Sequence, residues 1–284
     1  MISRATDLCI SISESPGNTG TRIQNALYER HGVDCLYKAM RVARVDLRRA
    51  IEGVKALGIR GCSVSMPHKI CAARMADWRD PVVERLGVTN TLVNVGGKLH
   101  AYNTDHAAAK RVIGELDALA RARDVCVTKA IVLGAGATAR SVCLALNELG
   151  FPITIANRTK RKTEWFKKEF GAMAVAASRI AKFTTQGCIV VNTTSVGMEK
   201  YHRFLNYASD MNWTGFHPEC IVFDVVNRDT FLCSAARHSG TAVVANGQRM
   251  AAWQSVLQFQ HYTGIELEDP EQEVEHVLAL LCEA

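Results

Sequence analysis

The chain has 284 residues, which is longer than one hydrophobic core usually grows, so its length predicts two domains. Hydrophobic residues make up 48% of the chain and charged residues 22%, and the mean hydropathy is near zero. This composition excludes a disordered chain, a collagen-like fibre and a coiled coil. The net charge of +6 is spread along the chain, without a basic patch interleaved with aromatic residues. We therefore expect a small anionic ligand rather than nucleic acid.

Neither a membrane span nor a disulfide framework is expected. No stretch approaches the roughly 20 apolar residues that cross a bilayer, and Asp7 and Glu14 interrupt the region where a signal peptide would be apolar. These features predict a cytoplasmic protein without membrane contacts. The ten cysteines form no C-x-x-C pair and no Cys/His ligand spacing, which predicts reduced, mostly buried thiols and no metal site.

The first third of the chain alternates strand-like and helix-like segments. LCISIS, LYKAM and GCSVSM have strand character, and TRIQNALYERHG and LRRAIEGVKALG between them have apolar residues at helical spacing. Strands that alternate with helices predict βαβ units and a parallel sheet. The following segment, at 87–105, predicts a hairpin that turns at Gly96 and Gly97 and is closed by Asp105.

A second α/β series begins at Lys129. The apolar run AIVLG leads through a glycine turn to a helix, then to the strand PITIANR, a Lys-rich helix that ends at Gly171, and the strand CIVVN. This order predicts a doubly wound sheet. Residues 247–284 contain two further helices, the second beginning at Pro270, and the acidic segment from Glu266 to Glu275 is expected to be its solvated start.

LGAGATA fits the dinucleotide-binding pattern, with Gly134 and Gly136 directly after a strand and at the start of a helix. Glycines there let the backbone approach a pyrophosphate, and the helix N-terminus supplies free N–H groups. The next strand is followed by the basic run from Asn157 to Lys162, where a carboxylate would select NAD. A guanidinium with a nearby ammonium instead complements a 2′-phosphate, so the sequence predicts NADP as the cofactor.

Polar residues crowd two segments where strands are expected to end, SVSMPHK at 63–69 and GVTNTLVNVGGKLHAYNTD at 87–105. Open α/β sheets bind ligands at this edge. If Lys69 and Asp105 meet, they form a pair able to hold a substrate hydroxyl and move its proton. His68 is expected to be structural, because it follows Pro67 and points away from Lys69.

These strings resemble the shikimate dehydrogenase family, in which V-T-x-P-H-K, A-V-N-T and N-T-D recur in this order. LGAGATAR, ANRT, NTTSVGM, FDVV and NGQRMAAWQ are similar to its cofactor half and its returning C-terminal helix. The resemblance implies an α/β fold, with a parallel-sheet substrate domain at 1–106 plus 247–284 and a Rossmann NADP-binding domain at 107–246. It implies an enzyme of the shikimate pathway, a monomer or homodimer, that oxidises shikimate reversibly with NADP.

The resemblance also implies roles for individual residues. Lys69 and Asp105 are the catalytic pair. Substrate contacts are implied for Ser65, Asn90 and Gln254. Cofactor contacts are implied at the pyrophosphate for Gly134, Ala135, Gly136, Ala137 and Thr138, at the 2′-phosphate for Asn157, Arg158, Thr159 and Lys162, and at the nicotinamide for Met198 and Gly247.

Three departures concern substrate identity. The family opens with S-x-S-P-x-x-H-N, whose serines bind the substrate carboxylate, but here Asn25 follows nine residues after Pro16, not four. This longer loop resembles the shikimate dehydrogenase-like branch and leaves Ser13, Asn18 and Thr21 as alternative carboxylate ligands. Asn227 replaces a common substrate-contacting Tyr, and His106, beside Asp105, has no assigned role. Quinate/shikimate dehydrogenase, aminoshikimate dehydrogenase and a catalytically weak NADP-binding protein remain alternatives.

Overall fold

The computed structural model describes residues 2–182, 184–198 and 215–282, and it divides into two compact units. The first unit combines Met1–Asp105 with Ala252–Ala284, and the second is His106–Ala251. The first unit is therefore discontinuous in sequence. The observed division lies one residue before the first predicted boundary and five residues after the second.

The elements follow one another in the alternating order that the sequence predicts. The strands are β1 (Asp7–Ser13), β2 (Cys35–Arg41), β3 (Gly61–Val64), β4 (Trp78–Arg79), β5 (Thr91–Val95), β6 (Lys98–Tyr102), β7 (Lys129–Leu133), β8 (Ile153–Asn157), β9 (Met173–Ala176), β10 (Cys188–Asn192), β11 (Cys220–Asp224) and β12 (Val243–Ala245). The helices are α1 (Thr19–Arg30), α2 (Leu47–Ala56), α3 (Lys69–Met75), α4 (Pro81–Leu86), α5 (Thr104–Arg121), α6 (Ala137–Glu148), α7 (Glu164–Phe170), α8 (Phe231–His238), α9 (Gln248–Thr263) and α10 (Pro270–Cys282).

The sheet of the first unit has the strand order β2-β1-β3-β5-β6-β4 and is mixed. β1 is parallel to β2 and β3, as predicted, whereas β5 is antiparallel to both β3 and β6. The antiparallel pairing of β5 with β6 comes from the predicted hairpin, whose turn residues Gly96 and Gly97 have φ of 58° and 83°. Two consecutive left-handed residues match the twist of a tight hairpin, and glycine adopts them at little cost. The chain therefore returns beside β5 and does not cross over.

The sheet of the second unit is parallel throughout, with the order β12-β11-β10-β7-β8-β9. β10 and β11 are buried along their whole length, which is why they read as continuous apolar runs. The chain winds outward from β7 in both directions, so a topological switch point lies between β7 and β10. The doubly wound prediction is confirmed, and the glycine turn after β7 lies at this switch point.

Separate apolar cores hold the two sheets. In the first unit, Ile12, Ile51 and Leu92 belong to a cluster built from β1, α2 and β5. In the second, Ile131 and Val222 lie in a cluster on β7 and β11. Each fully buried side chain of this size contributes about 1.5–3 kcal/mol. Among the described residues, no helix is both long and apolar enough to cross a membrane.

One expectation about the C-terminal segment is wrong. α10 begins at Pro270 as predicted, but the acidic residues around its start are not all solvated. Glu273 is 5% exposed, and its carboxylate lies 3.0 Å from the Arg30 guanidinium and 3.4 Å from the His31 ring. Arg30 and His31 lie at the end of α1, so the buried Glu273 carboxylate connects α10 to α1.

The cysteines are free thiols, as predicted, and most of them are buried. Cys71, Cys126 and Cys282 are exposed. Cys188 and Cys220 are register partners on β10 and β11, with their sulfurs 3.2 Å apart.

Candidate active site

Lys69 is placed by a turn at the end of β3. The strand ends at Val64, and α3 begins at Lys69 itself. Between them, the buried His68 ring makes a 2.9 Å hydrogen bond from Nε2 to the carbonyl oxygen of Val42. His68 therefore anchors the turn, and Lys69 follows it at the carboxyl end of the strand.

Lys69 and Asp105 meet within the first unit. Lys69 Nζ donates to Asp105 Oδ2 over 2.5 Å, and the two side chains are only 11% and 2% exposed. Asp105 does not close the hairpin, which ends at Tyr102, but occupies the first turn of α5. A carboxylate is favoured there because the free N–H groups of the first turn carry partial positive charge. The arrangement holds an ammonium and a carboxylate together in a nearly dry environment.

Asn90 holds the second carboxylate oxygen. Its Nδ2 donates to Asp105 Oδ1 over 2.9 Å and to Thr104 Oγ1 over 2.8 Å. Its Oδ1 accepts from the Thr104 backbone N–H at 2.8 Å. Asp105 therefore has one oxygen bound to an amide and the other bound to Lys69.

Other predicted substrate residues lie at the same edge of this sheet. Ser13 is the last residue of β1, and Ser65 directly follows β3, the strand that pairs with β1. The Ser65 backbone N–H donates to the Ile12 carbonyl oxygen at 3.0 Å. Val64 donates its backbone N–H to the Asn90 carbonyl at 2.8 Å, which brings the Asn90 segment alongside. The polar side chains thus gather where open α/β sheets bind ligands.

The three alternative carboxylate ligands differ in availability. Thr21 Oγ1 accepts from the Ala39 backbone N–H at 3.2 Å, so part of its hydrogen-bonding capacity is used inside the protein. Asn18 is exposed and precedes α1 without making a side-chain cap. Ser13 is buried at the end of β1. In the portion of the chain that the structure describes, the half-buried Gln254 side chain has no hydrogen-bond partner.

The second unit contains the predicted nucleotide turn. Gly134 has a φ of 100°, and a Cβ there would lie 2.9 Å from Thr193 Oγ1. Gly136 is exposed, and a Cβ on it would meet no atom within 4 Å. No residue that the structure describes requires glycine at 136, so the open space suits the close approach of a pyrophosphate to the backbone. α6 then begins at Ala137, and its free N–H groups point toward the glycine turn. Ala135 lies in the turn, and Thr138 lies in the first turn of α6.

The basic segment after β8 is exposed, as a phosphate site requires. Arg158, Thr159 and Lys162 are all exposed, and Asn157 Nδ2 donates to the Thr159 carbonyl at 2.9 Å. A pocket opens beside this segment. Its lining residues are Asn157, Lys160, Thr163, Ala174, Val175, Ala176 and Arg179.

Lys160 and Arg179 were not among the predicted cofactor residues. Neither side chain has an ion pair or hydrogen bond to any residue that the structure describes. Lys160 lies in the basic run and could have been found there. Arg179 follows β9 and carries no motif, so only the pairing of β8 with β9 brings it to the pocket.

Gly247, one of the two predicted nicotinamide residues, packs against the loop that follows the buried Asp224. A Cβ on Gly247 would lie 2.2 Å from the Val225 carbonyl oxygen, so only glycine fits. Asp224, fully buried, accepts from Asn192 Nδ2 at 2.9 Å, from the Val226 N–H at 3.0 Å and from a threonine hydroxyl. Burial raises the pKa of Asp224 to about 6 despite these donors. The FDVV string contains Asp224, but no sequence pattern predicts that this aspartate shapes the loop after β11.

The remaining residues of interest are placed as follows. Met198 is half-buried and its backbone N–H donates to Ser195 at 3.2 Å. Asn227 is exposed. His106 Nε2 lies 3.0 Å from Glu148 Oε2, which also binds Lys110 at 2.8 Å. His106 therefore joins α5 to α6 within the second unit.

Two family models match the chain. Residues 9–92 match the shikimate dehydrogenase substrate binding domain, and residues 117–199 match shikimate / quinate 5-dehydrogenase. The first match contains Lys69 and Asn90, and the second contains the nucleotide turn.

Relatives match over almost the entire chain. A shikimate dehydrogenase-like protein from Haemophilus influenzae is 33% identical, covering 93% of each chain. A shikimate dehydrogenase (NADP(+)) from Methanosarcina barkeri is 32% identical, covering 86% of this chain and 88% of the relative. Among solved structures, a shikimate 5-dehydrogenase-like protein superposes with a TM-score of 0.78 at 30% identity, covering 99% of this chain and 100% of the other. Shikimate dehydrogenase from Aquifex aeolicus superposes with a TM-score of 0.83 at 28% identity, covering 98% and 99%.

Proposed function

Because this chain belongs to the shikimate dehydrogenase family, we propose that it oxidises shikimate, or a close cyclohexene carboxylate, reversibly to the 3-dehydro compound. It is an NADP-dependent oxidoreductase, most similar to the shikimate dehydrogenase-like branch. The observation that carries the proposal is the nearly buried Lys69–Asp105 pair, held by Asn90 at the ligand-binding edge of the first sheet.

The reaction removes a hydride from a ring carbon and a proton from the hydroxyl on that carbon. NADP+, when bound, supplies the hydride acceptor. The glycine turn at Gly134 and Gly136 would hold its pyrophosphate, and Arg158, Lys162 and Arg179 offer positive charge for its 2′-phosphate.

Lys69 transfers the proton of the substrate hydroxyl. An ammonium group has three N–H donors, and Asp105 takes one of them, so two remain for the substrate hydroxyl. As a neutral amine, Lys69 would accept the hydroxyl proton with its lone pair as the hydride leaves, and the ammonium that results stabilises the negative charge that develops on that oxygen. In the reverse direction it donates to the carbonyl oxygen.

Asp105 and Asn90 orient Lys69 and contact the neighbouring ring hydroxyls. Both carboxylate oxygens of Asp105 are hydrogen-bonded, one to Lys69 and one to Asn90. Lys69 Nζ therefore cannot move away from this position without losing its ion pair with Asp105. We assign further ring contacts to Ser65 and Gln254. The substrate carboxylate is assigned to Ser13, Asn18 and Thr21, since the Thr21 hydroxyl that accepts from Ala39 still has its own proton to donate.

The test is reduction of NADP+ and NAD+ by the purified protein with shikimate, quinate and aminoshikimate in parallel, with Lys69→Met as the blank. NADP+ reduction with shikimate, lost in the variant, is the expected result. Preferential quinate turnover with NAD+ would identify a quinate/shikimate dehydrogenase instead. Binding of NADP+ without turnover of any ring acid would contradict the proposal and indicate a binding protein.

A further inference from the structure

A cluster of buried hydroxyl groups is connected to the Lys69–Asp105 pair through the side chains of Gln258 and Asn90. Ser63, on β3, accepts from the Tyr37 hydroxyl at 2.8 Å and lies 2.8 Å from the Tyr262 hydroxyl. Burial raises the pKa of both tyrosines, so each hydroxyl keeps its proton and can donate. Ser63 has a single proton, and it donates this proton to Gln258 Oε1 over 2.9 Å.

Gln258 has only one workable orientation. Its Nε2 donates to the Asn90 carbonyl oxygen over 3.1 Å and to Thr91 Oγ1 over 3.2 Å. A backbone carbonyl can only accept, so the reversed amide would set two oxygens against each other. The Ser63 proton and the Asn90 carbonyl therefore select the same orientation of Gln258.

Through Thr91, the orientation of the Gln258 amide also determines the orientation of the Asn90 side chain. Because Gln258 donates to Thr91 Oγ1, the Thr91 proton is available for Asn90 Oδ1, which lies 3.0 Å away. Asn90 Oδ1 also accepts from the Thr104 backbone N–H. With its oxygen held by two donors, Asn90 must turn its Nδ2 toward Asp105 Oδ1. The other Asp105 oxygen is left for Lys69.

We propose that Gln258 is a positioning residue for the reaction, because it fixes Asn90 through its carbonyl and through Thr91, and so fixes the Lys69–Asp105 pair. Gln258 is 5% exposed and lies one helical turn beyond Gln254 on α9. It touches neither Lys69 nor Asp105 in any bond described above. This inference rests on the proposed function for its kinetic consequence, but its structural contact can be measured without turnover.

The kinetic test compares Gln258→Met with Gln260→Met. Both changes replace Gln by an unbranched side chain of similar length on the same helix, but the half-buried Gln260 side chain has no hydrogen-bond partner among the described residues. Misplacing the pair should lower kcat for shikimate oxidation by about tenfold to a hundredfold in Gln258→Met, with the Kd for NADP+ unchanged. Gln260→Met should stay within about twofold of the wild type.

A double-mutant cycle separates positioning from general damage. If Gln258 acts through Asn90, adding Gln258→Met to Asn90→Ala should cost less than about threefold further in kcat. Thr91→Val breaks the same series without a substitution on α9, and it should reproduce the kcat loss. Thermal unfolding establishes that each variant is folded at the assay temperature. Full additivity with Asn90→Ala, or wild-type kcat in folded Gln258→Met or Thr91→Val, would overturn the proposal.

A second readout does not depend on activity. The Asn90 side-chain amide resonance, assigned by its loss in Asn90→Asp, should exchange slowly with solvent in the wild type and at least about tenfold faster in Gln258→Met. Gln260→Met should leave the rate unchanged. If the wild type oxidises no ring acid, the proposed function fails, yet the exchange rate still decides the contact. Faster exchange supports the role of Gln258, and an unchanged rate overturns it.

Discussion

Replacing Lys69 with Met tests the candidate active site most directly, because Met keeps much of the alkyl chain and removes the charge. Removing one partner of a buried ion pair costs about 3–5 kcal/mol, since the remaining charge stays buried without its partner. Asp105 is only 2% exposed but keeps its bond from the Asn90 amide. We therefore expect the free energy of unfolding to fall by about 3 kcal/mol, at the lower end of that range.

The kinetic effect of Lys69→Met should be larger than its effect on stability. Loss of proton transfer and of charge stabilisation together should lower kcat about a hundredfold to ten-thousandfold. Lys55→Met is the matched control, because Lys55 binds Asp77 at 2.6 Å in the same unit, with the two side chains 30% and 37% exposed. An exposed pair contributes about 0–1 kcal/mol, so this variant should lose little stability and no activity.

The assay combines chemical unfolding, the Kd for NADP+ and kcat with shikimate for both variants. Only Lys69→Met should lose turnover, and both should bind NADP+ as the wild type does. A folded Lys69→Met protein that retained kcat would refute the assignment of Lys69. Equal stability losses in the two variants would refute the argument from burial.

Three further predictions concern the second unit, and a glycine of the first unit is the control for the third. The raised pKa of Asp224, about 6 against an ordinary 3.8, means that the folded state binds a proton more tightly than the unfolded state. The wild type should therefore lose up to about 3 kcal/mol of stability relative to Asp224→Asn as the pH rises from 4 to 7, measured by chemical unfolding at each pH. Arg179→Ala should raise the Kd for NADP+ about fivefold, because one phosphate contact is lost, and should leave the Kd for NAD+ unchanged. Gly247→Ala should cost about 3 kcal/mol because its Cβ meets backbone at 2.2 Å. Gly53→Ala, in α2, where a Cβ would meet no described atom within 4 Å, should gain about 0.5–1 kcal/mol in the same measurement.

Specific outcomes would contradict each of these. A stability difference between wild type and Asp224→Asn that does not change with pH would mean that Asp224 titrates normally. If Arg179→Ala weakened the binding of NADP+ and NAD+ equally, Arg179 would not be a ligand of the 2′-phosphate. A Gly247→Ala protein as stable as the wild type would show that the loop after β11 can move aside.

The fold was readable from the sequence because its signals are local. The glycine turn at Gly134, the paired glycines at Gly96 and Gly97 and the buried run CIVVN each specify a turn or strand through neighbouring residues. The pairing of Lys69 with Asp105 was predictable only in part, because Lys69 follows a strand end as expected, whereas Asp105 lies at a helix start and does not close the hairpin. Family resemblance then supplied the roles that spacing alone left open.

The missed residues depend on contacts between distant segments. Gln258 lies 168 residues from Asn90, and nothing in the helical pattern of α9 separates it from an ordinary core position. Arg179 enters its pocket only because β9 pairs with β8. Glu273 looked solvated because its partners, at the end of α1, are more than 240 residues away. Such pairings become visible only when the topology is known.

The discontinuity of the first unit has a consequence for synthesis on the ribosome. The second unit is one continuous segment, so it can complete its sheet as soon as that segment has emerged. The first unit is synthesised through Asp105 long before Gln258 and Tyr262 exist, which leaves Ser63 and Asn90 without their α9 partners. The first unit is therefore started first and finished last, and a nascent chain halted before α9 would hold an ordered second unit and a first unit in which the surroundings of Ser63 and Asn90 are incomplete.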